Sequence, residues 1–294
     1  MQSGNRDDVH RGAAGEPLVL IHGFAGTRLI WEPVLGALER SHDVLTVKLA
    51  GHVGGPELAD TPVSVNALVD AVERDLDAAG FDTAHVAGHS LGGWIAFELA
   101  DRGRARSVVA LAPAGGWEHG SRAERRLQTL FARNHKLSTA LLPRIDSLVR
   151  RPRLRRALMW QVAAHGERIP PAAAAQAVRD SVACPVYFEL MDAILRDGPP
   201  RALDGVTCPV LLAWGTRDRI IPSPRYSQRL RNLLPSAEWV ELPGLGHIAM
   251  SDDPELVART IAEFVGRARE RASISRQRSM TASSPDIGSR ATQT

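Results

Sequence analysis

The sequence predicts an α/β fold, a mostly parallel sheet with helices on both faces and a helical cap inserted after its fourth strand. Three observations carry this. Short continuous apolar runs alternate with segments of helical period, the pattern of strands buried on both faces between crossover helices. The alternation then stops between Trp117 and Arg201, where only helical signals occur. Finally, a chain of 294 residues is long enough for one large α/β domain or two ordinary ones, and for burying roughly 75% of its unfolded surface.

Residues 1–15 are polar and Gly-rich and are read as a mobile arm. Six runs rich in Val, Leu, Ile and Ala follow as strands, at 17–21, 43–49, 85–87, 107–111, 209–214 and 238–242. Helical patterns at 31–39, 65–79 and 91–101 separate the first four strands. The insertion carries helices at 122–142, 145–164, 171–182 and 186–195, broken near Pro143, Pro152, Pro170 and Cys184-Pro185. After the sixth strand, Asp253 is an N-cap with Pro254 at the first helical position, and Leu256, Val257, Ile261, Phe264 and Val265 form an apolar stripe. The expected organisation is therefore an arm (1–15), a core (16–116 and 202–268), a cap (117–201) and a disordered tail (269–294), where Ser, Arg, Thr and Ala dominate.

With 44% hydrophobic and 23% charged residues, 25 Gly and 19 Pro, the composition excludes collagen-like, coiled-coil and wholly disordered classes. Apolar runs fall far short of the roughly 20 residues a membrane span needs, and the polar start lacks a signal core, so no membrane span is expected and the location is read as cytoplasmic. Cys184 and Cys208, each followed by proline, suggest small buried side chains rather than a disulfide framework or a metal site. The net charge of +3 comes largely from the six arginines after residue 266. No basic helix with interleaved aromatics appears, which argues against a nucleic-acid partner.

The decisive segment runs from His85 to Trp94, a short strand entering a helix through Gly88-His89-Ser90-Leu91-Gly92. A sharp strand-to-helix turn lifts a serine hydroxyl to the carboxyl edge of the sheet and aims it at the helix dipole. Glycines two positions either side avoid collision there. A serine at the start of a helix is otherwise most often a simple cap.

With this Gly-x-Ser-x-Gly in its strand-helix setting, the chain resembles the α/β-hydrolase family. The resemblance covers residues 16–268 and implies an acid and then a histidine after later strands. Asp218 follows the strand at 209–214, and His247 follows the last strand in Pro243-Gly-Leu-Gly-His247. Asp204 precedes its strand and falls at the wrong end of the sheet. His22 and His89 sit inside other motifs, and His52 resembles a structural loop of the family. His22-Gly23-Phe24-Ala25-Gly26, after the first strand, matches the loop whose backbone N–H holds an oxyanion. The resemblance thus implies Ser90 as nucleophile, His247 as base, Asp218 as orienting acid, and Phe24 and Leu91 as oxyanion donors, with no metal and no cofactor. Two departures stand out. The family's hairpin before the first core strand has no counterpart, and the loop after the second strand reads Ala50-Gly51-His52-Val53-Gly54-Gly55 rather than Pro-Gly-His-Gly.

The expected partner is a small molecule with an ester-like or related carbonyl. Trp31, Trp94, Trp117, Trp160, Phe188 and Met191 are the candidates for an apolar pocket. From Arg122 to Arg196 the cap holds 13 arginines and Lys136, either a solvated outer face or a preference for anionic acyl groups. A serine nucleophile argues against haloalkane dehalogenase and soluble epoxide hydrolase chemistry, whose covalent intermediate is built on a carboxylate. The same fold and triad also serve lyases, cofactor-free peroxidases, carbon-carbon bond hydrolases, acyltransferases and small-ligand binding proteins.

Overall fold

The computed structural model describes residues 15–58 and 62–282; the arm expected at the start lies, save Gly15, outside them, as does the tail beyond Ala282. Six strands form one sheet: β1 (Glu16–Ile21), β2 (His42–Thr46), β3 (Ala84–His89), β4 (Ala105–Leu111), β5 (Val210–Gly215) and β6 (Glu238–Leu242). Their order is β2-β1-β3-β4-β5-β6 and every adjacent pair is parallel. The chain steps outward from β1 to β2 and then returns to the other side of β1, so the order reverses between β1 and β3. A crevice opens at the carboxyl ends of strands at such a reversal, the preferred place for a ligand in an open α/β sheet.

Pleating divides the strands between two cores. Val19, Ile21, Leu45, Val86, Val108, Leu212 and Trp214 face one side, packed with α2 (Val65–Ala78) and α3 (Leu91–Asp101). Leu18, Leu20, Val44, Ala87, Val109, Leu211 and Ala213 face the other. There they meet α1 (Glu32–Leu38), a short α10 (Ala249–Asp252) and α11 (Pro254–Ala282). The expected cap opens α11, since Asp253 Oδ1 accepts from Leu256 N at 2.9 Å. A further short helix, α9 (Gln228–Leu233), precedes β6.

Between β4 and β5 lie α4 (Arg122–Leu141), α5 (Ile145–Arg150), α6 (Pro152–Met159), α7 (Pro171–Ala183) and α8 (Tyr187–Asp197). α5, α6 and α7 bury a small core of their own, with Ile145, Val149, Met159, Ala174 and Val178. α8 instead joins the main core through Tyr187, Leu190 and Ile194.

Three sequence expectations change. The strand expected to reach residue 49 ends at Thr46, because the Leu49 N–H turns onto His22 Nε2 (3.2 Å). The helix expected over 145–164 splits at Arg151-Pro152 and stops at Met159, after which residues 162–165 run along the loop that carries His247. The tail expected to be disordered from 269 is helical to Ala282. Arg267 and Arg271, one turn apart, both grip Glu238 at 2.8 and 3.0 Å, a contact that the absence of an apolar stripe does not betray. No helix among the described residues is long and apolar enough to cross a membrane.

Candidate active site

Ser90 is the single residue between β3 and α3, at φ 54° and ψ −116°, a left-handed conformation costly for a residue with a Cβ. The surroundings enforce it. Ser90 N donates to Leu111 O (3.0 Å), and Ser90 O accepts from Gly93 N (2.9 Å) and Ala114 N (2.8 Å), so the end of β4 holds the turn. The two motif glycines are steric necessities. A Cβ on Gly88 would lie 2.1 Å from Gly92 O, and one on Gly92 would lie 2.2 Å from Ile21 O. The turn therefore rests directly on β1, and the Leu91 N–H is one of the orphan donors that begin a helix.

The loop after β1 reaches the same point. A Cβ on Gly23 would stand 3.0 Å from Ser90 Cβ and 3.1 Å from His89 Nδ1, so glycine lets the backbone approach the serine this closely without pushing those side chains aside. Gly26 N closes a turn onto Gly23 O (3.1 Å), with Ala25 at φ 52°. His22 braces this loop, Nδ1 donating to Gly23 O (2.9 Å) while Nε2 accepts from Leu49 N. Burial, helped by neighbouring His52, holds His22 neutral with its pKa lowered to about 3. The Phe24 ring packs edge-on against Phe131 and Tyr187, at 5.3 and 4.8 Å between centroids, which ties the loop to α4 and α8.

Asp218 and His247 meet at the ends of β5 and β6. His247 Nδ1 donates to Asp218 Oδ2 at 2.8 Å, and both residues are buried. Asp218 Oδ1 accepts from Ile220 N (2.8 Å) and Ile221 N (3.0 Å), which fixes the carboxylate. With Nδ1 committed to the carboxylate, the ring nitrogen of His247 left free of Asp218 is Nε2. His89, the residue before Ser90, donates from Nε2 to His247 O at 3.0 Å and joins the elbow to the histidine loop. Burial holds His89 well below the usual histidine range, with His247 nearby adding to the effect.

A pocket of about 520 Å³, counting its open mouth, begins at Ser90, Phe24 and Leu91 and continues past Trp117, Leu127, Phe131, Met191, Ile194 and Ile221. Of the six side chains expected to line it, only Trp117 and Met191 do. Trp31 is fully buried on the opposite face of the sheet, packed in the core with α1 and α11. Trp94 lies behind the pocket, its Nε1 donating to Glu98 (3.0 Å) and its ring edge-on to Trp117. Trp160 is 51% and Phe188 57% exposed on the outside of the cap. The lining residues missing from the sequence reading carried a signal. Glu124, Leu127, Gln128 and Phe131 share one face of α4, and Met191, Ile194 and Leu195 one face of α8. That spacing identifies an inward stripe, whereas aromatic character alone does not.

Glu124 is the buried polar member of the wall. Its carboxylate accepts from Trp117 Nε1 (3.0 Å) and Gly120 N (2.6 Å), while its own N–H donates to the Ser121 cap (3.2 Å). Among the described residues no arginine lines the pocket. Those of the cap face solvent with few exceptions, and the buried one, Arg155, is committed to the carbonyls of Val149 and Glu167.

Comparison with known proteins agrees with this architecture. The model of a family described as the alpha/beta hydrolase family matches residues 18–260. An epoxide hydrolase of Mycobacterium tuberculosis, EphH, is 32% identical over 67% of this chain and 93% of its own length. A protein bearing the name carbamate hydrolase RutD in Azorhizobium caulinodans is 29% identical over 88% of this chain and 94% of its own. Among solved structures, a bacterial membrane phospholipase A superposes with a TM-score of 0.71 at 23% identity, covering 88% of this chain and 82% of that one, a likeness of fold.

Proposed function

The chain belongs to the alpha/beta hydrolase family, and from that premise we propose that it is a serine hydrolase cleaving an uncharged, ester-like carbonyl substrate through an acyl-enzyme on Ser90. The observation that carries the reading is the hydrogen bond from His247 Nδ1 to a buried Asp218, with a serine in left-handed geometry at the neighbouring elbow. His247 Nε2 takes the Ser90 proton as the hydroxyl attacks the carbonyl, then returns it to the departing alcohol or amine. Water repeats the sequence to release the acid. Asp218 keeps the imidazole in the required tautomer and stabilises its charged form. The N–H groups of Leu91 and Phe24 receive the developing oxyanion, and the α3 dipole adds to them. The chemistry calls for no cofactor.

Both similar hydrolases named above break bonds of different kinds, and the elbow residue discriminates between them. A serine that opened an epoxide would be left as an ether, which water cannot cleave by addition to a carbonyl. A carboxylate would be left as a hydrolysable ester. Ser90 therefore favours carbonyl substrates, carbamates and esters included, over oxiranes. The apolar pocket, with no arginine among its described lining residues, favours an uncharged acyl or leaving group over an anionic one.

A fluorophosphonate probe tests this, because it reacts quickly only where an activated hydroxyl and oxyanion donors converge. One adduct per chain on Ser90 is expected, absent in Ser90→Ala and His247→Ala, with ester turnover reduced about 10⁴-fold in Asp218→Asn. No adduct in folded protein refutes the reading. Labelling without turnover on any ester, thioester or carbamate replaces it with ligand binding or lyase chemistry on the same triad.

A further inference from the structure

The structure assigns Asp252 as a positioning residue that couples the helical cap to His247, an inference that rests on the serine-hydrolase reading. Asp252 ends α10, is 4% exposed, and lies outside the pocket lining. Its carboxylate accepts three backbone N–H groups. Oδ2 takes Gly246 N at 2.7 Å and Ala164 N at 2.9 Å, and Oδ1 takes His165 N at 2.7 Å. One donor adjoins the base, and the other two belong to the cap segment that follows α6.

The peptide on the other side of His247 is held by the same segment, since Ile248 N donates to Val162 O at 2.7 Å. Contact between the two backbones is direct. A Cβ on Gly246 would stand 2.7 Å from Ala164 N and 3.0 Å from Ala163 Cα. Asp218 thus fixes the His247 ring, while the cap, through Asp252 and Val162, fixes the backbone that carries it. Displacing residues 162–165 from the core takes the Val162 acceptor from Ile248 N and both cap amides from the carboxylate that holds Gly246, and it leaves the Ala164, His165 and Ile248 N–H groups to find water. Catalytic alignment is therefore a property of the seated cap. Asp252 touches neither pocket nor triad, so its loss acts on the chemical steps and spares substrate binding.

The test compares wild type with Asp252→Asn, which keeps the shape and one acceptor oxygen, and Asp252→Ala, which keeps neither. Steady-state kinetics on an ester and the fluorophosphonate labelling rate are measured well below each variant's melting temperature. The expected result is a graded fall in kcat, about tenfold for Asn and about a hundredfold for Ala, with KM within about threefold and labelling slowed in parallel. A lower melting temperature with unchanged kcat overturns the inference, as does a change confined to KM. Where the alanine variant fails to fold, the near-isosteric asparagine variant decides by the same criteria. Ser90→Ala and His247→Ala run alongside. If they are inactive while Asp252→Ala turns over like wild type, this inference alone fails; if they keep full turnover, the underlying reading fails and takes this inference with it.

Discussion

Lowering the pH from 7 to 5 charges histidines in the unfolded chain while His22 in the folded protein stays neutral, and the structure sets the size of the resulting loss. His22 is fully buried, and its Nε2 must keep a lone pair to receive the Leu49 N–H. Its pKa is lowered from 6.5 to about 3, first by burial and then by neighbouring His52, against a smaller opposing effect of the Gly23 hydrogen bond. A depressed histidine binds its proton more readily in the unfolded state. Its contribution is therefore intact above pH 6.5 and is lost progressively as pH falls toward 3. Between pH 7 and 5 that loss is about 2 kcal/mol from His22 alone, a sizeable part of an ordinary domain's stability. His52 and His89 act in the same direction, both lowered chiefly by burial. Asp75 opposes them, because burial raises its pKa to about 6 and the folded state takes up its proton first. Urea unfolding of wild type and His22→Gln at both pH values, followed by tryptophan fluorescence, cancels those shared contributions. The glutamine variant should be less stable at pH 7, with the gap narrowing by about 2 kcal/mol at pH 5. A gap of constant size would refute the claim that His22 is buried neutral.

Gly88→Ala should abolish labelling of Ser90 and yield little folded protein, since the added Cβ would lie 2.1 Å from Gly92 O, a backbone atom that cannot yield; normal activity would contradict the elbow geometry. Trp31→Ala should cost about 3–5 kcal/mol in urea unfolding yet leave the acyl-length profile unchanged. Leu127→Trp should shift that profile toward short acyl chains with little loss of stability, and an unshifted profile would remove α4 from the pocket wall.

Much of the fold was legible because its rules are local. A buried parallel strand announces itself by a short apolar run. The capping of α11 is written in Asp253-Pro254, and the steric demands of the elbow lie within five residues from Gly88 to Gly92. The order Ser90, Asp218, His247 along the chain likewise follows from which strand ends carry them. Less legible was the end of β2, where a hydrogen bond to His22 replaced the ladder, and the helical stretch after residue 269, where Arg271 joins Arg267 on Glu238 across the fold.

Which side chains face the serine was decided only in three dimensions. Trp31 and Trp117 are alike in chemistry, yet one sits beneath the sheet and the other in the pocket wall, because the layer an aromatic joins depends on how its helix or loop packs on distant strands. The inward stripes of α4 and α8 exist in the sequence as spacing, but the rotation that turns them toward Ser90 is the sum of many weak contacts across the cap. Asp252 is the extreme case. It lies 88 positions from Ala164, and nothing in its neighbourhood along the chain specifies that its carboxylate will gather amides from both the cap and the His247 loop. The sequence by itself determined which residue types stand at which strand ends, Ser90 after β3, Asp218 after β5 and His247 after β6. Their orientation, and the coupling of the cap to His247, came from tertiary packing, because buried hydrogen bonds between segments remote in sequence form only when desolvation brings those segments together.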